Sequence, residues 1–186
     1  MEAFLVSMVV VAVGEIGDKT QLLALMLAAR LKKPIPITLG IVVAILFNHT
    51  LAGLLGGWVR QMVPAVYLKW LLAISFLAVA VWALKPDKVD DSAPVSHTNL
   101  GAFMVTVVAF FLAEIGDKTQ VATVMLAARF DNLVAVVAGT TLGMLIADVP
   151  VVLVGKLAAD KIPFRLVRIV SAGLFVALAV LTIAAG

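Results

Sequence analysis

The sequence predicts an all-α polytopic membrane protein, with six transmembrane helices arranged as two inverted three-helix repeats. Composition, span count and an internal duplication predict it. Of 186 residues, 63% are hydrophobic and only 13% charged, against about half and a quarter in soluble domains. Mean hydropathy is +1.17. That apolar content suffices for about six spans of about 20 residues and leaves little for a globular domain. A secreted, nucleic-acid-binding or cytosolic-enzyme protein is excluded on these grounds, and the lipid bilayer is the expected surround. The formal charge of +3 needs no acidic partner, because lysines and arginines at helix ends account for it. Cysteine is absent, which removes disulfides, thiolate metal sites and cysteine nucleophiles.

The spans fall at 3–30, 36–58, 66–84, 100–129, 133–155 and 165–185. Met1-Glu2-Ala3 lacks a basic region and the apolar run from Phe4 continues past any cleavage site, so the first segment reads as a permanent span. The connectors after it are Lys32-Lys33-Pro34, Arg60-Gln61, Lys85 to Asn99, Asp131-Asn132 and Asp160 to Pro163. Only the third is long and polar. It divides the chain into a first repeat (1–84), a linker (85–99) and a second repeat (100–186). Glycine pairs in spans two and five, Gly53 with Gly57 and Gly139 with Gly143, read as helix-contact faces. Trp58, Tyr67, Trp70 and Trp82 sit near span ends, as interfacial anchors do.

Glu15-Ile16-Gly17-Asp18-Lys19-Thr20-Gln21 recurs as Glu114-Ile115-Gly116-Asp117-Lys118-Thr119-Gln120, and Met26 to Arg30 recurs as Met125 to Arg129. The same offset of 99 residues aligns Gly40 with Gly139, Gly56 with Gly155 and Pro64 with Pro163. Three spans per copy turn the second copy upside down. The odd connectors carry nine lysines and arginines and the even ones three. The excess puts the linker in the cytoplasm and both termini outside. Inverted repeats are a transporter signature, with the site between them near the midplane; a duplicated scaffold without transport is the alternative.

Each of spans one and four holds two acids and a lysine at its centre. A charge there costs roughly 2.5–3.5 kcal/mol, so the six together cost on the order of 15 kcal/mol before compensation. An ion pathway is the default explanation. On a continuous helix Glu15 and Asp18 share a face, Gln21 extends it with an amide oxygen, and Lys19 pairs with Glu15. Gly17 and Gly116 let the helices approach closely or break locally. Two inverted copies then place Glu15, Asp18, Glu114 and Asp117 around one point, as oxygen ligands for a divalent cation such as Ca²⁺ or Mn²⁺. Desolvation and like charge both favour the neutral form of clustered carboxyls, so protons can replace the cation. Lys19 and Lys118 serve as ion-pair partners or take part in proton coupling. Thr20, Gln21, Thr119 and Gln120 support the pathway. Asn48-His49 aligns with Ala147-Asp148: Asp148 is a further intramembrane acid, and His49 is its counterpart, either hydrogen-bonded or a ligand or proton carrier. Thr38, Thr140 and Thr141 are left out, because threonines commonly bond back to helix carbonyls.

A doubled Glu-x-Gly-Asp-Lys-Thr motif in a duplicated six-span chain resembles the Gdt-type cation/proton exchangers, among them Golgi calcium/manganese exchangers and bacterial manganese exporters of the MneA type. The resemblance covers the whole chain and neither motif copy departs from the pattern. It implies that Glu15, Asp18, Glu114 and Asp117 bind the cation, with Thr20 and Thr119 beside them. It also implies export of Mn²⁺ from the cytoplasm against entering protons, with no cofactor beyond the transported ion. The short linker and absent extension fit a bacterial inner-membrane member. A Ca²⁺/H⁺ antiporter, a passive channel and an intramembrane metal-dependent hydrolase are the alternatives. The hydrolase needs a phosphate clamp, whereas every arginine lies at a span end.

Overall fold

The computed structural model describes residues 1–85, 98–154 and 164–184, and all regular structure among them is helical. The helices are α1 (Glu2–Glu15), α2 (Lys19–Leu31), α3 (Pro34–Met62), α4 (Ala65–Ala83), α5 (Asn99–Glu114), α6 (Lys118–Arg129), α7 (Leu133–Val154) and α8 (Phe164–Ala184). Most of the predicted linker, and the connector Asp160 to Pro163, lie outside the described residues. Helices α3, α4 and α7 are long and apolar enough to cross a bilayer. The pair α5 and α6, bent by 70°, makes a fourth candidate.

Of the two readings of Gly17 and Gly116, close approach or a local break, both motifs show the break: α1 ends at Glu15 and α2 starts at Lys19, and α5 ends at Glu114 and α6 starts at Lys118. Gly17 (φ 80°) and Gly116 (φ 73°) take the left-handed backbone region, which glycine enters without steric cost. Broken backbone at membrane depth must have its polar groups satisfied locally. Here the Gly17 N–H donates to Gln21 Oε1 at 2.9 Å, and the Gly116 N–H to Gln120 Oε1 at 2.8 Å. The Asp18 and Asp117 amides donate back to Glu15 and Glu114 carbonyls at 2.9 and 3.0 Å.

Packing obeys the duplication. Helix α1 lies along α7 and α5 along α3, while α4 packs on α8. Without a hydrophobic drive between helices in lipid, small residues that admit a neighbouring backbone set such contacts. Any Cβ added at Gly139 would meet Phe4 O and Ser7 Cβ, and at Gly40 it would meet Phe103 O and Thr106 Cβ. Those partners are themselves offset by 99 residues. Gly143 packs on Met8 and Ala12, as its predicted face requires. Gly57 does not: nothing lies within 4 Å of it, and Gly56 takes its place against Val124 and Ala127 of α6. One apolar core centres on the fully buried Phe76 and Phe175, again repeat mates. The other joins Val11, Ile41 and Phe110 around α3. Trp58, Tyr67, Trp70 and Trp82 are exposed on the outer surface.

Contacts between helix ends segregate. Lys33 Nζ donates to Asn99 Oδ1 at 2.7 Å, joining the first connector to the third. Arg60 pairs with Asp131, joining the second to the fourth. At that same end Arg129 donates to Thr182 Oγ1 at 3.0 Å, in the last turn of α8.

Candidate cation site

Each motif letter has a local task. Glutamates 15 and 114 are the last residues of α1 and α5. Asp18 and Asp117 are the N-caps of α2 and α6, so their charge lies at the positive ends of those helix dipoles. The following threonine turns its hydroxyl between the two acids. Thr20 Oγ1 lies 2.5 Å from Glu15 Oε2 and 3.5 Å from Asp18 Oδ2. Thr119 Oγ1 lies 3.2 Å from Glu114 Oε2 and 3.3 Å from Asp117 Oδ2. Thr20 and Thr119 thus lie beside the acids of their own motifs.

The lysines depart from expectation. With no continuous helix between them, Lys19 does not pair with Glu15 four residues back. It reaches the other repeat and meets Asp117 Oδ1 at 2.9 Å. Lys118 in turn pairs with Asp18. Gln21 and Gln120 also differ: their amide oxygens accept from the motif glycines, and their NH₂ groups grip the opposite repeat. Gln21 Nε2 donates to Ala147 O at 3.1 Å, and Gln120 Nε2 to Asn48 Oδ1 at 3.4 Å. Asn48 meanwhile donates to Phe111 O at 3.2 Å, near the end of α5.

Glu15, Glu114 and Asp117 each present a carboxylate oxygen within 4.8 Å of the others, all buried. Asp18, the fourth expected member, is buried next to them but is not in that cluster; its carboxylate is engaged by Lys118 and Thr20. Glu15 Oε1 and Glu114 Oε1 are buried without a hydrogen-bond partner. Buried acceptor oxygens without a partner are uncommon in folded proteins, and a cation or a proton on each would satisfy them. Oxygen donors of this kind suit hard divalent ions.

Asp148 and His49 are both fully buried, and no side-chain polar atom of either has a hydrogen-bond partner. Of the threonines set aside, Thr140 does bond back to Val137 O at 3.2 Å, but Thr141 Oγ1 is buried and unpartnered. Two serines went unnoticed in the sequence. Ser171 donates to Val13 O at 2.8 Å, satisfying a carbonyl in the last turn of α1, and Ser7 Oγ is buried without a partner. Single serines among apolar residues carry no distinguishing pattern. The arginines stay at helix ends: Arg30, Arg60 and Arg129 lie in the last turns of α2, α3 and α6.

A helical bundle with two broken helices, whose breaks bring buried carboxylates together, defines a membrane transporter of cations. A family model described as "Divalent cation/proton antiporter GDT1" matches residues 3–91 and 102–186. The chain is 52% identical over 183 residues to a protein of Vibrio cholerae named "Putative manganese exporter", covering 98% of this chain and 90% of that one. It is 28% identical to the GDT1-like protein sll0615 of Synechocystis, covering 98% and 97%. GDT1-like protein 3 of Oryza sativa is 27% identical, with 96% and 72% covered. No solved structure matches significantly. The chain belongs to the GDT1 family of divalent cation/proton antiporters. It is therefore a transporter and not an enzyme, and the hydrolase alternative falls.

Proposed function

We propose that this protein exports Mn²⁺ from the cytoplasm in exchange for protons, binding the ion between its two motifs. One observation carries the proposal: carboxylate oxygens of Glu15, Glu114 and Asp117 converge within 4.8 Å while Oε1 of both glutamates has no partner. Asp18 completes the acid set once Lys118 releases it. The Vibrio relative's name and the unpartnered His49 nitrogens favour Mn²⁺, since imidazole suits a transition metal better than Ca²⁺. Ca²⁺ is the second reading, because the converging donors are all carboxylates.

Each broken pair, α1 with α2 and α5 with α6, acts as one crossing, giving six spans in two inverted halves. The segregated end contacts support this topology: odd connectors meet at one end through Lys33 and Asn99, even ones at the other through Arg60 and Asp131. The excess of basic residues in odd connectors makes their side cytoplasmic and leaves both termini outside the bacterial inner membrane. The test is flux into proteoliposomes under an imposed pH gradient, with Mn²⁺ and Ca²⁺ supplied separately. Mn²⁺ uptake that follows the gradient is expected. Gradient-driven Ca²⁺ flux with none for Mn²⁺ would reverse the ion assignment, and flux indifferent to the gradient would reduce the protein to a channel.

A further inference from the structure

Where a helix ends, the carbonyls of its last turn lose the amides that a continuing helix would supply. Helix α1 ends in this way at Glu15, inside the bundle. Gly17, whose amide lies four residues after Val13, spends its N–H on Gln21 Oε1. The Val13 carbonyl is met from α8 instead, where the buried Ser171 donates its Oγ hydrogen across 2.8 Å.

Helix α5 ends likewise at Glu114, and its last turn is held from a different direction. There the Phe111 carbonyl accepts from Asn48 Nδ2 of α3 at 3.2 Å. The two anchors are not copies of each other. Under the offset of 99 residues, Leu72 stands in the first repeat where Ser171 stands in the second. Ala147 stands in the second where Asn48 stands in the first. Neither leucine nor alanine has a side chain that can donate. Packing agrees: α8 lies against α1, whereas its repeat mate α4 lies against α6. Each break therefore has its own side-chain anchor, and that of the first is Ser171.

The anchored carbonyl lies two residues before Glu15. Among the three converging carboxylates, Glu15 is the one that the first motif supplies. Its bonds within the motif, from Thr20 to its carboxylate and from the Asp18 amide to its carbonyl, come from residues beyond the break. Ser171 adds a fixed point on a helix outside the motif. Groups that hold a metal ligand from behind are typically worth about 10–100-fold in metal affinity.

We infer that Ser171 is a positioning residue for cation binding, acting through the Val13 carbonyl to keep Glu15 in place beside Glu114 and Asp117. The inference rests on the cation site proposed above.

Flux into proteoliposomes tests it, with whichever of Mn²⁺ and Ca²⁺ the unmodified protein carries. Ser171→Ala should raise the cation concentration for half-maximal flux severalfold, with maximal flux and melting temperature nearly unchanged. Ser171→Thr, which keeps the hydroxyl, should bring that concentration back down. An unchanged half-maximal concentration in Ser171→Ala would overturn the inference. So would a fall in melting temperature and maximal flux together, the mark of a merely structural bond. Failure of Ser171→Thr to restore binding would also overturn it, because the hydroxyl would not be what matters. Wild-type flux in Glu15→Gln would instead remove the cation site itself, and the role of Ser171 with it.

Discussion

Lys118 of the second motif closes its ion pair on Asp18 of the first, and Lys19 of the first closes on Asp117 of the second at 2.9 Å. The halves are thus cross-latched at the level where both chains break. The latches are unequal: the Lys19 side chain is 27% exposed and that of Lys118 only 6%. Burial decides what each is worth. Removing either lysine strands a buried aspartate, but at Lys19 water can enter from the exposed side and offset part of the loss.

Lys118→Met should therefore destabilise the protein by about 3–5 kcal/mol, and Lys19→Met by clearly less. Adding Asp18→Asn to Lys118→Met should recover part of the loss, because the charge stranded at Asp18 is then removed. Thermal unfolding in detergent reads all three. Greater damage from Lys19→Met would contradict the unequal burial.

Transport should vanish in Glu15→Gln, Asp18→Asn, Glu114→Gln and Asp117→Asn, with each variant still inserted in the membrane. The glutamates contribute the unspent oxygens, and the aspartates hold the crossed lysines. A neutral amide cannot replace a carboxylate ligand to a divalent ion without loss of charge. Flux assays on the four variants decide it: wild-type rates in any two would dismantle the shared site.

What was legible in the chain, and what was not, divides at Gly17 and Gly116. The offset of 99 residues anticipates the matched contacts of Gly40 and Gly139, because duplicated small residues keep duplicated neighbours. Burial of all four motif acids also follows from their place in apolar runs. Side-chain direction does not. The pairing of Lys19 with Glu15 assumed a helix running through the motif, and a single left-handed glycine rotates everything after it. Gln21 then bonds to Gly17 and Ala147 instead of continuing a straight helical stripe from the acids. Thr141 was discounted on a tendency that Thr140 obeys and Thr141 does not; the backbone accepts one hydroxyl, and no local pattern says which.

Cysteine labelling in intact cells tests the orientation. Asp131→Cys, at a position whose side chain is 88% exposed, should react with an impermeant reagent from outside. Asn99→Cys should stay silent until the membrane is opened. The reverse pattern would invert the topology, and labelling of both from outside would break the parity of the connectors.

Glycine substitutions test the packing. Gly143→Ala should weaken the fold, since a new methyl would press on the Met8 carbonyl and Ala12 amide of α1, backbone that cannot swing aside. Gly57→Ala has open space and should be neutral or stabilising by up to about 1 kcal/mol, the helix-propensity difference. Melting temperatures of the two variants should move in opposite directions or leave only Gly143→Ala shifted.

Cation and proton should compete for one site, so that Mn²⁺ affinity falls as pH falls. Both motif lysines are committed to aspartates, and neither Glu15 nor Glu114 has a basic partner in either motif's ion pairs. Four motif acids against two motif lysines leave the site with a net charge of about −2 if all are ionised, which a low-dielectric interior opposes. One divalent cation removes that charge, and so do two protons. The ligating form is the deprotonated one. Raising pH therefore frees the ligands and strengthens binding, while lowering pH fills them with protons and expels the metal. Both loaded states are electrically equivalent, and the empty, ionised state is the unfavourable one. A site that dislikes being empty exchanges; it does not leak. Binding of Mn²⁺ to the solubilised protein in weak buffer should release protons, and Glu15→Gln with Glu114→Gln should abolish the release. Affinity that stays constant across neutral pH, with no protons released, would leave exchange at this site without a physical basis.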